Sequence, residues 1–374
     1  MVIQTSSHCI APALVLRGRG VWPQALAEIA RLGQVPLLLG RSSPTRPLRA
    51  SLQQKLHGLG LTPQSAELLY DCCKEDLFRL RRVAEESVSG PPCDSVIAMG
   101  GGKVLDAGKL LAHQLGVPCI TVPTSAATCA GWSALSNLYT PAGAFLRDVS
   151  LDRCPDLLVF DHDLVIQAPP RTLVSGIADA MAKWYEASIS SAQSPDGLVQ
   201  QAVQQARLLR DLMLLDGREA VEQPGSEAWA RVVEGAALTA GLIGGLGGAP
   251  CRTVAAHAVH NGLTQLPEAH APLHGEKVGF GILVQLRLEE VLGGSRLATQ
   301  ARHQLLSFFR TLGLPCELSD LGLGASTLPD LQAVCEHACR EGSDLHHLPF
   351  TVLPEDLLAA LVSTTTTTAA QSVG

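Results

Sequence analysis

Short apolar runs alternate with longer amphipathic stretches over the first 161 residues, and this alternation constrains the fold more than any other feature. The runs read PALVL, PLLLG, SVIAMG, PCITVP and DLLVFD, and ELLYDCC is a further candidate strand. The stretches between them place apolar residues at helical spacing, as in KEDLFRLRRVAEESV. Strands that alternate with helices predict parallel βαβ units in an open α/β sheet. Because the runs are almost wholly apolar, we expect both faces of that sheet to be covered.

The sequence changes character after Asp161, because nearly every later segment has a helical pattern. The stretch PPRTLVSGIADAMAKWYEASISS opens this half, with two prolines just before a helix start. A chain of 374 residues is long enough for two domains. We therefore predict an α/β domain over residues 1–162 and a helical domain over residues 163–374. The low-complexity segment 363–374 is expected to be a disordered tail.

Composition narrows the class of protein. Hydrophobic residues make up 46% of the chain and charged residues 17%, which argues against disorder. The formal net charge is -7 and no basic stripe occurs, so no nucleic-acid partner is expected. Eleven cysteines without a CxxC pair favour free thiols in a reducing cytoplasm over a disulfide framework. No run reaches the length of a membrane span and no signal peptide is recognisable, so we expect a cytoplasmic protein without a membrane partner.

The segment IAMGGGKVLDAGK places Gly100, Gly101 and Gly102 between a predicted strand and a predicted helix. Glycine lets a phosphate approach backbone N–H groups, and the helix N-terminus adds its dipole. The pattern is neither GxGxxG nor a P-loop, so a tight turn without a ligand is the alternative. The next strand ends in VPTSAAT, whose Thr124 and Ser125 hydroxyls suit a nucleotide at the carboxyl ends of the strands. We therefore predict a dinucleotide site in the α/β domain.

Arg41 follows the predicted strand PLLLG, in the segment GRSSPTR. In dinucleotide-binding folds a carboxylate near this point accepts hydrogen bonds from the ribose, whereas an arginine suits a 2′-phosphate. The segment has no carboxylate, which favours NADP over NAD. The alternative is that Arg41 is a solvated loop arginine.

Four histidines lie within the 27-residue stretch AAHAVHNGLTQLPEAHAPLHGEKVGFG. His257 and His260 lie three apart and share a face of a predicted helix. His274 opens the next helical region, and His270 lies between prolines in a loop. A histidine pair at this spacing is often only structural, so the spacing alone does not establish a metal site.

Asp179 lies among small apolar residues in SGIADAMAKWYEA, where a carboxylate needs a partner. One candidate is Lys183, four residues later on the same helix, as an ordinary ion pair. The other is a divalent metal, because two imidazoles, one carboxylate and an open position form a catalytic zinc or ferrous site.

Several long segments of the chain resemble a known family. GGGKVLDAGK, VPTSAATCAGWSALSNLYTPAG, LVSGIADAMAKWYEA, AAHAVHNGLT and HGEKVGFGILVQL are similar to the group III, or iron-containing, alcohol dehydrogenases, and in particular to their glycerol dehydrogenase branch. The resemblance is strong over residues 95–290. It implies an N-terminal dinucleotide-binding α/β domain, a helical C-terminal domain and an active site in the cleft between them, on the fold that dehydroquinate synthases share.

The resemblance also implies a set of site residues. Asp179, His257 and His274 would bind a catalytic zinc or iron ion, and His260 would lie beside the metal with a possible role in proton transfer through a water chain. The family's contacts to the nucleotide correspond to Gly101, Gly102, Lys103, Asp106, Thr124, Ser125, Ser133, Leu135 and Tyr139.

Cys129 marks a departure from the glycerol dehydrogenases, which carry STDAP where this chain has ATCAG. Their aspartate contacts the polyol, and its loss removes a charge that would repel a carboxylate on the substrate. The segments ATCAGW, GIADAMAKWYEA and HLPFTVLPEDLLAAL are more similar to the hydroxycarboxylate dehydrogenase branch, which reduces 2-oxo acids with NADPH. Cys129 is expected to line the substrate pocket; a nucleophile or metal ligand is the alternative.

The resemblance therefore implies hydride transfer between NAD(P)(H) and a small alcohol or carbonyl compound, with the metal as a Lewis acid. Reduction of 2-oxo acids to 2-hydroxy acids is the leading expectation, and polyol oxidation of the glycerol dehydrogenase type is the alternative. A lyase of the dehydroquinate synthase type, a glycerol-1-phosphate dehydrogenase and a catalytically inactive nucleotide-binding protein are further rivals. The family resemblance also suggests a homo-oligomer.

Overall fold

The computed structural model describes residues 7–86 and 90–366. Six parallel strands form the central sheet in the order β1-β8-β5-β4-β2-β3, and β6 and β7 form a separate antiparallel hairpin. The predicted parallel α/β sheet is confirmed. The strands are β1 (Leu14–Gly18), β2 (Pro36–Gly40), β3 (Gln64–Glu67), β4 (Ser95–Gly100), β5 (Cys119–Pro123), β6 (Leu135–Tyr139), β7 (Phe145–Ser150) and β8 (Leu157–Asp161).

Helices cover both faces of the sheet, so every residue of β2, β4, β5 and β8 is buried. Successive strand residues point to opposite faces. Leu37 and Leu39 pack in one cluster with α3 and α4, while Leu38 packs in another with α1 and α2. The four helices are α1 (Trp22–Leu32), α2 (Arg46–Gly58), α3 (Lys74–Glu85) and α4 (Gly102–Leu115).

The predicted strand ELLYDCC is wrong, because the strand lies earlier, at β3, and only Glu67 belongs to both. The following backbone is irregular as far as α3. The carboxylate of Asp76 in the first turn of α3 accepts hydrogen bonds from the N–H groups of Leu69 and Tyr70, each at 2.7 Å. These two N–H groups bond the helix rather than a neighbouring strand, so the strand does not continue through Leu69 and Tyr70. Asp71, the next residue, is buried.

The second half of the described chain is helical. Its helices are α5 (His162–Val165), α6 (Pro170–Ser190), α7 (Gly197–Glu222), α8 (Glu227–Glu234), α9 (Ala240–Gly247), α10 (Ala255–Leu263), α11 (His274–Val291), α12 (Arg296–Leu312), α13 (Leu328–Ala338) and α14 (Pro354–Leu361). A π-helical segment, Gly235–Thr239, joins α8 to α9. α6 packs closely on α7 and α11, and α11 packs on α10. No helix in the described ranges is long and apolar enough to cross a membrane.

The expectation of a disordered tail is wrong for residues 363–366. Arg302 of α12 is fully buried and donates hydrogen bonds to the carbonyls of Thr364 (2.5 Å) and Thr366 (2.8 Å). The Thr364 hydroxyl donates to the carbonyl of Cys316 at 2.7 Å. A buried guanidinium needs acceptors, and the backbone of this segment supplies them. The rest of the predicted tail, residues 367–374, lies outside the described residues.

The sheet changes direction between β2 and β4. From β2 the chain moves outward to β3, whereas from β4 it moves the other way to β5. In open α/β sheets, ligands bind at the carboxyl ends of the strands at such a switch point. Arg41 follows β2 and the glycine triplet ends β4 and starts α4, so both predicted nucleotide features lie at this point.

Candidate active site

A cleft of about 570 Å³ lies between the α/β and helical parts of the chain. Its walls come from the strand ends of the sheet on one side and from α6, α9, α10 and α11 on the other. Every residue predicted to form the site lines this cleft. These residues are Arg41, Gly100, Gly101, Gly102, Lys103, Asp106, Thr124, Ser125, Cys129, Ser133, Leu135, Tyr139, Asp179, His257, His260 and His274.

The glycine triplet joins β4 to α4 with no side-chain cap on the helix, so the helix N-terminus opens into the cleft. Gly100 lies so close to Val104 that a Cβ there would be 2.8 Å from the valine Cβ. The triplet therefore serves close packing as well as leaving its backbone accessible. A free helix N-terminus at a switch point suits a phosphate group.

Asp71 organises the cations at this nucleotide end of the cleft. Its Oδ1 lies 2.6 Å from Nη1 of Arg41, and its Oδ2 accepts from Nζ of Lys103. Burial acts to raise the pKa of Asp71, but the Lys103 and Arg41 charges outweigh it and lower that pKa. Lys103 also lies over the Tyr139 ring, 5.3 Å from its centroid. Arg41 is thus held by an ion pair and is not the free loop arginine of the alternative interpretation.

Glu67 organises a second group of cations beside the first. Its carboxylate bonds Arg46 and Arg49, with the shortest contact to each guanidinium at 3.0 Å. The Ser42 and Thr45 side chains line the cleft next to them. Together with the Asp71 group, four cations face two carboxylates, which leaves a net positive charge at the end of β2.

Lys109 ties together three of the predicted nucleotide contacts. Its buried Nζ lies 3.2 Å from the carboxylate of Asp106 and donates to the carbonyls of Ser133 (3.1 Å) and Leu135. Burial raises the pKa of Asp106, although the Lys109 charge acts against this. The β6–β7 hairpin is therefore anchored on α4, and the two elements form one wall of the cleft.

Asp179, His257 and His274 meet at the other end of the cleft. Oδ1 of Asp179 lies 3.5 Å from Nε2 of His257 and 3.4 Å from Nε2 of His274. The three ligand atoms lie within 4.8 Å of one another. Oδ1 of Asp179 is buried and has no hydrogen-bond partner among the described residues. An orphaned carboxylate oxygen facing two imidazole nitrogens is the donor set that zinc or ferrous iron takes, so these residues fit such an ion.

Lys183 does not form the ordinary ion pair that was the alternative for Asp179. The ion pairs of the described residues include no contact between these two side chains, and Nζ of Lys183 instead donates to the carbonyl of Arg252 at 3.3 Å. Burial acts to raise the pKa of Asp179, but the Lys183 charge and the two imidazoles hold that pKa well below its usual value. This environment therefore favours the charged form of the Asp179 carboxylate, which is the form that binds a cation.

Glu186, one turn after Lys183 on α6, orients His257 and was missed in the sequence. Its Oε2 accepts a hydrogen bond from Nδ1 of His257 at 2.6 Å, and its Oε1 accepts from the N–H groups of Val254 and His257. Burial acts to lower the pKa of His257, but the Glu186 charge outweighs it and raises that pKa to about 9. The bond directs Nε2 of His257 at Asp179, which is how a carboxylate orients a metal-bound histidine.

His260 orients His274, as Glu186 orients His257. Nδ1 of His274 lies 3.0 Å from Nε2 of His260, whose Nδ1 lies 3.0 Å from Oδ1 of Asn261. When Nδ1–H of His260 donates to Asn261 and Nδ1–H of His274 donates to His260, Nε2 of His274 remains free and faces Asp179. Burial, followed by the charge of His274, holds the pKa of His260 well below its usual value. The structure thus places His260 beside the cluster but outside it.

Two further predictions concern residues near the cluster. His270 bonds the Thr264 carbonyl through Nε2 and does not line the cleft, as its loop position suggested. Cys129 does line the cleft, and burial raises the pKa of its thiol. A thiol with a raised pKa is a poor nucleophile and a poor metal ligand, so the environment of Cys129 favours pocket lining.

Known proteins similar to this chain form a consistent group. The sequence profile of the iron-containing alcohol dehydrogenases matches residues 12–162. An uncharacterized oxidoreductase of Synechocystis sp. is 54% identical over 96% of this chain and 91% of the relative. Hydroxycarboxylate dehydrogenase A of Escherichia coli (strain K12) is 36% identical over 83% of this chain and 85% of the relative. The crystal structure of a probable glycerol dehydrogenase from Sinorhizobium meliloti 1021 superposes with a TM-score of 0.81 at 31% identity, covering 95% of this chain and 96% of that one.

Proposed function

The chain belongs to the iron-containing alcohol dehydrogenase family, and on that premise we propose that it reduces 2-oxo acids to 2-hydroxy acids with NADPH. The reaction consumes one proton: hydride passes from NADPH to the carbonyl carbon, the carbonyl oxygen takes the proton, and NADP⁺ is released. The observation that carries the proposal is Cys129. This neutral side chain lines the cleft where, by resemblance, glycerol dehydrogenases carry an aspartate.

Asp179, His257 and His274 are the residues that would hold the metal. A zinc or ferrous ion bound there would supply Lewis-acid polarisation of the substrate oxygen. The chain's own contribution is orientation. Glu186 holds His257 and His260 holds His274, so that both Nε2 atoms and Oδ1 of Asp179 converge on one point. His260 uses both ring nitrogens for this purpose, which favours a positioning role over the proton transfer suggested by the sequence.

NADPH is the proposed nucleotide because of the charge at the end of β2. The Asp71 and Glu67 groups leave that region positive, and the hydroxyls of Ser42 and Thr45 lie beside it. A 2′-phosphate supplies the complementary charge. The glycine triplet and the N-terminus of α4 are proposed to bind the pyrophosphate.

A substrate panel tests the proposal. Nucleotide oxidation is followed with pyruvate, 2-oxobutyrate and dihydroxyacetone, and nucleotide reduction with glycerol, on protein loaded with zinc or with iron. We expect a higher kcat/KM for the 2-oxo acids than for dihydroxyacetone or glycerol. The Cys129→Asp variant should reverse this order, because it restores a charge that repels the substrate carboxylate. Glycerol as the best substrate of the unaltered chain would overturn the proposal in favour of polyol oxidation, the function named for its structural neighbour.

A further inference from the structure

Two cationic side chains beside the metal cluster form no ion pair at contact distance within the described residues. Lys183 is 4% exposed, and it donates a hydrogen bond to a backbone carbonyl at 3.3 Å. Nε of Arg252, just before α10, is buried and has no hydrogen-bond partner in the part of the chain that the structure describes. The ion pairs of the described residues include neither side chain. Burying a charge costs free energy unless it is paired, so both positions favour an incoming anion.

The fold makes room for Arg252 at this place. Gly244 of α9 lies under the arginine stem, where a Cβ would be 2.8 Å from both Cγ and Cδ of Arg252. The π-helical segment Gly235–Thr239 just before α9 shifts the phase of the helix that carries Gly244. The side chains of Arg252 and Lys183 both line the cleft that holds Asp179.

The charge balance at the catalytic end also favours an anionic ligand. The charged residues of the helical half that line the cleft are Asp179, Lys183, Arg252, Arg340 and Asp344. Three cations thus face two carboxylates, and a divalent ion on Asp179 would raise the positive excess further. A neutral polyol leaves this excess uncompensated, whereas a carboxylate offsets it.

We propose that Lys183 and Arg252 bind the carboxylate of the substrate and thereby select 2-oxo acids. The inference rests on the proposed function and deepens it, since it names the residues that decide the substrate class. In a 2-oxo acid the carboxylate is bonded directly to the carbonyl carbon. A carboxylate held by Lys183, one helical turn from Asp179, therefore brings the carbonyl to the metal cluster. The planar guanidinium of Arg252 offers two parallel N–H donors, the geometry that a carboxylate accepts best.

Arg340 is the matched control on the cleft wall. Its Nη1 already donates to the carbonyl of His337 at 2.7 Å, so its guanidinium has a partner that Arg252 lacks. If any cation in the cleft were sufficient, removing Arg340 would have the same effect as removing Lys183 or Arg252.

The test compares two ketones that differ only in the anchored group, 2-oxobutyrate and 1-hydroxy-2-butanone. Lys183→Met and Arg252→Leu should each lower kcat/KM for 2-oxobutyrate by about 10- to 100-fold and change that for the hydroxyketone little. Arg252→Lys, which keeps the charge, should recover most of the loss, and Arg340→Leu should have a small effect on both ketones. Equal losses on both ketones, or a selective loss only in Arg340→Leu, would overturn the anchor.

A binding measurement separates the anchor from the proposed function. Oxamate, a non-reducible carboxylate of the same shape as pyruvate, is titrated calorimetrically into the metal-loaded protein with NADPH, the nucleotide that accompanies the 2-oxo acid in the proposed reaction. We expect binding by the unaltered chain and a Kd weakened about 10- to 100-fold in Lys183→Met and in Arg252→Leu. Lack of turnover with 2-oxo acids would defeat the proposed function alone. Absent oxamate binding, or binding unchanged in both variants, would defeat the anchor whatever the substrate panel gives.

Discussion

The two ends of the cleft differ in whether their charged side chains are already paired within the protein. At the nucleotide end, Arg41 and Lys103 share Asp71, so these cations have protein partners before any ligand arrives. At the catalytic end, the described ranges of the chain provide no hydrogen-bond partner for Oδ1 of Asp179 or for Nε of Arg252. The nucleotide end is thus organised by its own ion pairs, while the catalytic end is completed by what it binds.

This difference indicates where each kind of specificity comes from. Ion pairs hold the nucleotide-end side chains in place, so a ligand gains affinity there from preorganisation. Buried groups without a partner raise the free energy of the protein when no ligand is bound. A ligand that pairs with them therefore gains more binding free energy than a ligand that does not. We therefore expect substitutions at the catalytic end to have larger effects than substitutions at the nucleotide end.

Asp179→Asn should have the largest effect, because it removes the charge on which the catalytic end is built. Metal affinity should fall by more than about 100-fold, because residues that only orient the metal ligands already contribute about 10- to 100-fold to metal affinity. Metal content after gel filtration and calorimetric zinc titration measure the loss. Asp344→Asn, which removes a cleft carboxylate outside the cluster, should lower metal affinity far less, because Asp344 acts on His257 only through its charge. Full metal retention by Asp179→Asn would refute the ligand assignment.

Metal binding should depend strongly on pH at this end. The Glu186 charge raises the pKa of His257 to about 9, so below that pH a metal ion must displace a proton from the imidazole. Burial lowers the pKa of His274, so His274 adds no such proton above neutral pH. Zinc affinity should therefore increase about tenfold per pH unit from pH 7 and level off near pH 9. A chelator-competition titration at several pH values measures this, and a flat profile would contradict the Glu186–His257 pairing.

Glu186→Gln should weaken metal binding less than the loss of a ligand. Glutamine keeps an oxygen for the N–H groups of Val254 and His257 but loses the charge that orients the imidazole. At pH 9 we expect a loss of about 10- to 100-fold in zinc affinity. The pH dependence should also become shallower, because the pKa of His257 falls once the charge is gone. Glu219→Gln on α7, away from the cleft, is the control; an equal loss there would indicate a general effect on folding.

Arg41→Ala should have the smallest effect and tests the nucleotide end. We expect KM for NADPH to rise about tenfold, since one partly exposed charge-assisted bond to the 2′-phosphate is lost. The same variant with NADH is its own control, because NADH lacks that phosphate, and its KM should change little. A parallel rise for both nucleotides would show that Arg41 serves the local structure rather than cofactor choice.

The central strands of the sheet were predictable from the sequence, because their burial produces an apolar pattern. β2, β4, β5 and β8 are buried on both faces, so their sequences are continuous apolar runs. β3, QSAE, is a half-exposed edge strand of mostly polar residues, so the sequence analysis placed the strand at the more apolar ELLYDCC instead. The β6–β7 hairpin was missed because β7, FLRDVS, is mostly exposed. α7 was not identified as a separate helix, although Asp196 caps it by accepting from the N–H of Leu198.

The candidate site was predictable in its long motifs and not in its supporting residues. The proposed ligands, Asp179, His257 and His274, came from segments similar to a known family. Asp71 pairs with two cleft residues and Arg252 lines the cleft itself, and both come from loops whose placement depends on tertiary packing, so no local pattern marked them. Glu186 did carry a signal, because it is a second carboxylate seven residues after Asp179 on the same face of α6.

The contact of Arg302 with the end of the described chain has an evolutionary consequence. The guanidinium binds backbone carbonyls of Thr364 and Thr366, and every residue type has that carbonyl. Thr366 is exposed and can therefore change identity at low cost, whereas Thr364 is buried and also uses its hydroxyl to bond the Cys316 carbonyl. Deletions reaching Thr364 would remove two backbone acceptors of a buried guanidinium and leave it with the Glu290 carboxylate, whereas a substitution at Thr366 would keep both acceptors. Natural variants should accordingly differ in residue type at Thr366 more than at Thr364, and differ little in the length of chain between Arg302 and Thr366.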